Sequence, residues 1–150
     1  MNKLYLSWQD IEELVIDLAN HIQPTATSAA PTLIVGVARG GLIPATMLSY
    51  QLCCGYPVPV TSLQASTRHG IEVDRNQIIT TVRSWPNWLT NSIVVVDDIC
   101  DSGKTFDIIS PYIPNARYVT LVNKQATKDK TFAPRMVDDD QWVVFPWETD

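Results

Sequence analysis

The sequence predicts an α/β fold: a mainly parallel central sheet flanked by helices. Three observations predict it. The short continuous apolar runs 33–37 (LIVGV) and 93–96 (IVVV) read as strands buried on both faces, as parallel strands are. Stretches with helical spacing alternate with such runs along the chain. The 150 residues, 45% hydrophobic and 18% charged, are enough for one globular domain over 1–150 and too few for two ordinary ones.

The elements follow in order. Ser7 caps a helix whose apolar positions Trp8, Ile11, Leu14, Val15, Leu18 and Ile22 recur at helical spacing, and Pro24 with the small polar run after it ends the helix. The run 33–37 is the first buried strand, followed at once by Arg39-Gly40-Gly41. A second helix covers 42–54 and stops at Gly55. Residues 58–63 read as a strand, the polar stretch 64–76 as a loop or mobile hairpin tip, and 77–82 as the returning strand. Pro86 and two tryptophans mark 84–91 as a connection. The run 93–96 is the strongest buried strand, 105–112 a short helix and 118–122 another strand. Parallel sheets of this kind take ligands beyond the carboxyl ends of their strands, and every motif below sits at such an end.

Charge and composition exclude several classes of function. Sixteen acidic and 11 basic residues leave a net charge of −5, which argues against a general nucleic-acid binder but not against a local anion pocket. No apolar run approaches the roughly 20 residues of a membrane span, and the N-terminal stretch meets acid too early for a signal peptide. Three cysteines are an odd count, the neighbours Cys53 and Cys54 are poorly placed to bridge each other, and no CxxC occurs. A reduced, cytoplasmic setting is the expectation.

The richest segment is 93–105, IVVVDDICDSGKT. An apolar strand runs into Asp97 and Asp98, then Asp101, and Ser102-Gly103-Lys104-Thr105 opens a helix. Backbone N–H groups at a helix start, with a glycine allowing close approach, cradle a phosphate. Carboxylates beside that cradle repel a phosphate unless something stands between them. A sugar diol donates hydrogen bonds to carboxylates, and a hard divalent cation binds them. The string therefore points to a ribose 5-phosphate, with Asp97 and Asp98 on the 2′ and 3′ hydroxyls and 101–105 on the phosphate. A nucleoside-triphosphate P-loop needs a glycine five positions before its Gly-Lys-Thr, where this chain has Asp98. The plainer alternative is a solvated acidic turn with an ordinary helix cap.

Two other segments carry chemistry less specifically. Arg39-Gly40-Gly41 joins tight-turn glycines to a planar, permanently charged fork suited to phosphate oxygens, or is simply a strand-to-helix turn with a surface arginine. Lys124 and Trp142, taken alone, read as a surface lysine past a strand and a core aromatic, although Trp142 emerges from the polar run Asp138-Asp139-Asp140-Gln141.

Two acids after an apolar strand and then D-S-G-K-T resemble the phosphoribosyl pyrophosphate (PRPP) motif of type I phosphoribosyltransferases. Segments 5–8, 36–44, 92–105, 118–124 and 142–148 together are similar, in matching order, to the bacterial xanthine-guanine phosphoribosyltransferases. The resemblance is least clear over 62–91. It implies the type I phosphoribosyltransferase fold with a small hood or flexible loop. It also implies a purine-salvage activity joining a 6-oxopurine (guanine, xanthine or hypoxanthine) to PRPP, which yields the nucleoside 5′-monophosphate and pyrophosphate. On it, Arg39, Gly40 and Gly41 hold pyrophosphate. Lys124 donates to the 6-oxo group, Trp142 stacks on the purine and Val143 offers backbone groups to its edge. Asp101 manages the proton at N7, or caps the helix, or does both. Mg²⁺ is the implied cofactor, with Asp98 the first choice for a protein contact. The hood corresponds to 64–76, where the family's serine-tyrosine pair is missing and Ser66 and Thr67 are the nearest hydroxyls. Arg75 or Arg68 reaches the pyrophosphate from there, or is a plain surface arginine. A homo-oligomer, dimer or tetramer, is implied as well. The competing readings are a PRPP- or nucleotide-binding regulator of the same fold without turnover, and an enzyme for a pyrimidine.

Overall fold

The computed structural model of the protein describes residues 1–23, 30–52, 55–67 and 72–149. Five strands form one parallel sheet: β2 (Leu33–Val37), β3 (Val60–Leu63), β4 (Ile93–Cys100), β5 (Arg117–Lys124) and β6 (Arg135–Val137), in the spatial order β3-β2-β4-β5-β6. The order reverses beside β2, the first strand of the sheet, and crevices open at the carboxyl ends of strands at such a switch. A second, two-stranded parallel ribbon pairs β1 (Asn2–Tyr5) with β7 (Gln141–Val144), from opposite ends of the sequence.

Both faces of the five-stranded sheet are covered, which is why its central strands read as unbroken apolar runs. Helices α1 (Trp8–Ile22) and α2 (Leu42–Gln51) cover one face, where Leu18, Ile22 and Leu48 meet Ile34, Val94, Val96 and Leu121. On the other, Ile78 of α3 (Arg75–Ser84) and Phe106 and Ile109 of α4 (Lys104–Ile109) meet Leu33, Val35, Val37 and Val95. Alternation along β2 and β4 deals side chains to the two layers in turn. Each fully buried Leu, Ile or Val contributes about 1.5–3 kcal/mol relative to exposure.

Helix α1 begins as expected. Ser7 Oγ accepts from the Asp10 N–H at 3.1 Å and the Ser7 N–H donates to Asp10 Oδ2 at 2.7 Å, a reciprocal capping box that holds the Asp10 carboxyl below its usual range. The helix runs to Ile22; Pro24 lies outside the described residues. Helix α2 spans Leu42–Gln51, shorter than expected, and Cys53 and Cys54 lie outside the described residues. The closing segment packs onto the start of α1: the Trp147 ring stacks on Phe145, with centroids 4.9 Å apart, and tilts against Trp8 at 5.8 Å.

One expectation is overturned. Residues 77–82 are not a returning strand but the body of helix α3. Their β-branched composition (IITTV) is a weak preference that context outweighs. Asp74 Oδ1 accepts from the N–H groups of Asn76 and Gln77, nucleating the helix, and Ile78 anchors it to the sheet. The second strand beside β2 is therefore β4, reached by a helical crossover. Strand β1, for which the sequence offered no strand signal, exists by pairing with β7.

Candidate functional site

Strand β4 carries the site. Its pairing continues through Asp97 to Cys100, so the acids lie within the strand's last turn of pleat and not beyond it. Asp97 is half-buried and its Oδ1 accepts from the Asp98 N–H at 2.8 Å; Asp98 is only 3% exposed and its Oδ1 accepts from the Ile99 N–H at 2.8 Å. These local bonds orient the two carboxylates.

Past β4 the chain turns through Asp101 and Ser102 into Gly103, whose φ of +79° suits glycine, and α4 starts at Lys104. Gly103 occupies the N-cap position and no side chain caps the helix, so Asp101 is not the cap that the sequence allowed; it stands exposed at the mouth of the turn. The Lys104 N–H donates to Ser102 Oγ at 3.3 Å. The Thr105 and Thr67 hydroxyls are 3.3 Å apart, which brings the start of the loop after β3 against the turn.

The loop after β2 forms the facing wall. Its Ala38–Arg39 peptide bond is cis. Gly40 lies so close to Asp98 that a Cβ there would stand 2.1 Å from Oδ2. A Cβ on Gly41 would stand 2.4 Å from the Val96 carbonyl oxygen, and the Gly41 N–H donates to Val37 O at 2.9 Å. Gly41 thus serves the close approach of the loop to β2 and β4, while Arg39 and Gly40 face the opening. Together Ala38–Gly40, Ser66, Thr67 and residues 97–106 line a cleft of about 290 Å³ at the carboxyl ends of β2 and β4. Cys100 is in its wall, where burial pushes the thiol pKa up and leaves it a poor nucleophile.

Lys124, Trp142 and Val143 form a separate constellation at the end of β5, the strand next to β4. Lys124 is not past the strand but its last residue, and it is 6% exposed. Its Nζ donates to the carbonyls of Asp138 at 3.4 Å and Asp139 at 3.2 Å, and to that of Gln141. Trp142 is 46% exposed, whereas the next residue, Val143, is buried. Arg75 stands exposed in the first turn of α3 and outside the cleft lining; Arg68 and the rest of 68–71, within the expected hood, lie outside the described residues.

Sequence reasoning missed Thr127. Its hydroxyl, buried at 2% exposure, meets the carbonyls of Cys100 at 2.7 Å and Lys124 at 3.1 Å, joining the ends of β4 and β5. No local signal marks it, because the partner that ties it to β4, Cys100, lies 27 residues away.

Among the described residues, no three His, Cys, Asp or Glu side chains gather to hold a metal ion. The donor set present is the pair Asp97 and Asp98. That fits a magnesium ion taking one or two protein carboxylates, the rest of its shell coming from substrate and water.

Fold and cleft together define an α/β protein with a candidate anion-binding cleft at the switch point of a parallel sheet. Comparison with known proteins narrows the class. The chain matches the phosphoribosyl transferase domain over residues 1–150. It is 28% identical over 153 residues to the xanthine-guanine phosphoribosyltransferase of Idiomarina loihiensis, covering 97% of this chain and 87% of that one. It is 30% identical over 119 residues to the enzyme of the same name from Gluconobacter oxydans, covering 77% and 68%. Among solved structures, the purine phosphoribosyltransferase of Pyrococcus horikoshii superposes with a TM-score of 0.68 at 28% identity, covering 100% of this chain and 96% of that one. The chain belongs to the phosphoribosyltransferase family.

Proposed function

We propose that the protein transfers the phosphoribosyl group of PRPP to a 6-oxopurine (guanine, xanthine or hypoxanthine), releasing pyrophosphate and the nucleoside 5′-monophosphate. The observation that carries the reading is the single cleft that Asp97, Asp98 and the 101–105 turn share with Arg39 and Gly40. Relatives of this chain are named for xanthine and guanine or for purines, which supports the choice of base.

In this reading the 5′-phosphate sits on Asp101, Ser102, Gly103, Lys104 and Thr105, through backbone amides and two hydroxyls. Asp97 and Asp98 accept from the ribose diol. Arg39 with Gly40, packed by Gly41, takes the pyrophosphate, and Arg75 stands at the foot of the hood as a further cation. The anomeric carbon becomes oxocarbenium-like as pyrophosphate leaves, and the carboxylates nearby stabilise that charge. Asp101, exposed and not engaged in capping, accepts the proton from the purine nitrogen, a role worth about 10²–10⁴-fold in rate. Lys124 has three donors and no acceptor, so it selects an oxo over an amino group at the 6-position. Trp142 stacks on the base, worth about 1–3 kcal/mol, and Val143 offers its backbone to the purine edge. Magnesium, held by Asp98 or by the more exposed Asp97, would neutralise the charge of the leaving pyrophosphate.

We place this activity in one domain over 1–150, in a cytoplasmic homo-oligomer, dimer or tetramer. No helix among the described residues is long and apolar enough to cross a membrane. The test is purified protein with PRPP, Mg²⁺ and each of guanine, xanthine, hypoxanthine, adenine and uracil, followed by product chromatography. Monophosphates from the oxopurines alone are expected. PRPP binding without product from any base would assign the chain as a regulator instead, and uridine monophosphate would overturn the choice of base.

A further inference from the structure

We infer that Asp139 is the positioning residue of the base-binding wall: its carboxylate holds the 138–141 loop over the end of β5, and so sets where the carbonyls that receive the Lys124 ammonium stand and how the loop enters the strand of Trp142. The inference rests on the proposed role of Lys124 and Trp142 in binding the purine.

The geometry starts from the lysine. An ammonium carries three N–H donors, and a buried one needs a partner for each. Lys124 finds three carbonyls, those of Asp138, Asp139 and Gln141. They converge on it only because the three-residue connection between β6 and β7 folds back over β5. Beside the pairing of β6 with β5 and of β7 with β1, two bonds shape that fold. The Gln141 N–H donates to Asp138 O at 3.1 Å, closing the turn on itself. Asp139 Oδ1 accepts from the Ala126 N–H at 2.9 Å, tying the turn to the rest of the protein.

Ala126 is not an arbitrary anchor. It lies in the single 3-10 turn Gln125–Thr127 that follows Lys124, and Thr127 of that turn bonds to the Lys124 carbonyl. The lysine backbone and the loop receiving its ammonium are thus fixed to one short segment. Strand β7 begins at Gln141 and pairs along its length with β1, so the anchor fixes how the loop enters the strand just ahead of Trp142.

The consequence concerns what happens when a base arrives. A 6-oxo group can accept from Lys124 only by displacing one of the three carbonyls. Were the ammonium the loop's sole attachment, that exchange would loosen the wall at the moment it is needed. The Asp139–Ala126 bond does not involve the ammonium, so the wall stays in place while Lys124 changes partner.

Two variants test the inference. Asp139→Ala removes the acceptor, whereas Asp139→Asn removes the charge and keeps an oxygen that can accept from Ala126. For Asp139→Ala, the KM for the oxopurine should rise roughly fivefold to tenfold, the size expected for one hydrogen bond. Its kcat and its KM for PRPP should stay within about twofold of wild type, and Asp139→Asn should stay near wild type throughout. Hydrogen exchange followed by mass spectrometry should show faster exchange over 125–142 in Asp139→Ala, with 97–105 unchanged. An unaltered purine KM, an equal loss in every kinetic constant, an Asn variant as impaired as Ala, or unchanged exchange over 125–142 each overturns the inference. If the wild-type protein forms no nucleotide from any base, the proposed function fails, and the exchange comparison alone then decides for or against the Asp139 anchor.

Discussion

The proposed sugar-phosphate end and the proposed base end of this site are built by different means. The first is nearly contiguous in sequence: nine residues, 97–105, supply both carboxylates and the phosphate turn, and among the described residues Ala38, Arg39, Gly40, the start of the loop after β3 and Phe106 complete the lining. Backbone geometry does most of the work, through the strand end, Gly103 in its left-handed conformation and Gly40 pressed on Asp98. The second is assembled from the ends of β5, β6 and β7 around one buried ammonium held by backbone carbonyls. A site made from local backbone leaves a motif, while a site made from tertiary hydrogen bonds leaves single residues that look ordinary.

The largest expected effect falls where the two ends meet. Asp101→Asn should lower kcat by about 10²–10⁴-fold while PRPP affinity, measured by calorimetry, stays within a few-fold. Near-normal turnover would remove Asp101 from the proton transfer and leave the two ends chemically separate. Gly40→Ala comes next and confines damage to the sugar-phosphate end. Its Cβ would stand 2.1 Å from Asp98 Oδ2 and 2.8 Å from Cγ, so the loop or the carboxylate must move. Overpacking of this kind costs about 1–3 kcal/mol, and a rise of at least about tenfold in the KM for PRPP is expected. Normal PRPP kinetics would show that the Asp98–Gly40 contact is not part of the binding geometry.

The smallest effect sharpens the comparison most. Thr127→Val removes the one O–H donor shared between the Cys100 and Lys124 carbonyls. A loss of about 1–2 kcal/mol should lower the melting temperature by roughly 2–8 °C in a chain of this size. If the two ends depend on a shared frame, the KM values for PRPP and purine rise together by a few-fold. If only the melting temperature falls, the ends are independently braced.

Legibility in the sequence followed the same divide. The parallel sheet was readable because β2 and β4 are buried on both faces and therefore apolar without alternation. The acidic strand end and Gly103 were readable because their geometry needs those residue types at adjacent positions. Helix α3 was not read, since Ile78, Ile79 and Val82 carry strand preference, and the signal that wins, Asp74 bonding two amides ahead, looked like part of a polar loop. Lys124 was placed one step outside its strand, because nothing local shows that carbonyls of 138–141 will receive it. Asp139 and Thr127 carried no signal at all, as their partners Ala126 and Cys100 lie 13 and 27 residues away.

The pairing of β1 with β7 has a consequence for how the molecule comes into being. Asn2 aligns with Gln141 and Tyr5 with Val144, so β1 must wait for a partner strand far along the sequence. Long-range pairings of this kind close late, because the loop entropy is lost before the contact rewards it. The β1–β7 ribbon, and with it the strand that carries Trp142, is therefore expected to close after the β3-β2-β4-β5-β6 sheet has formed.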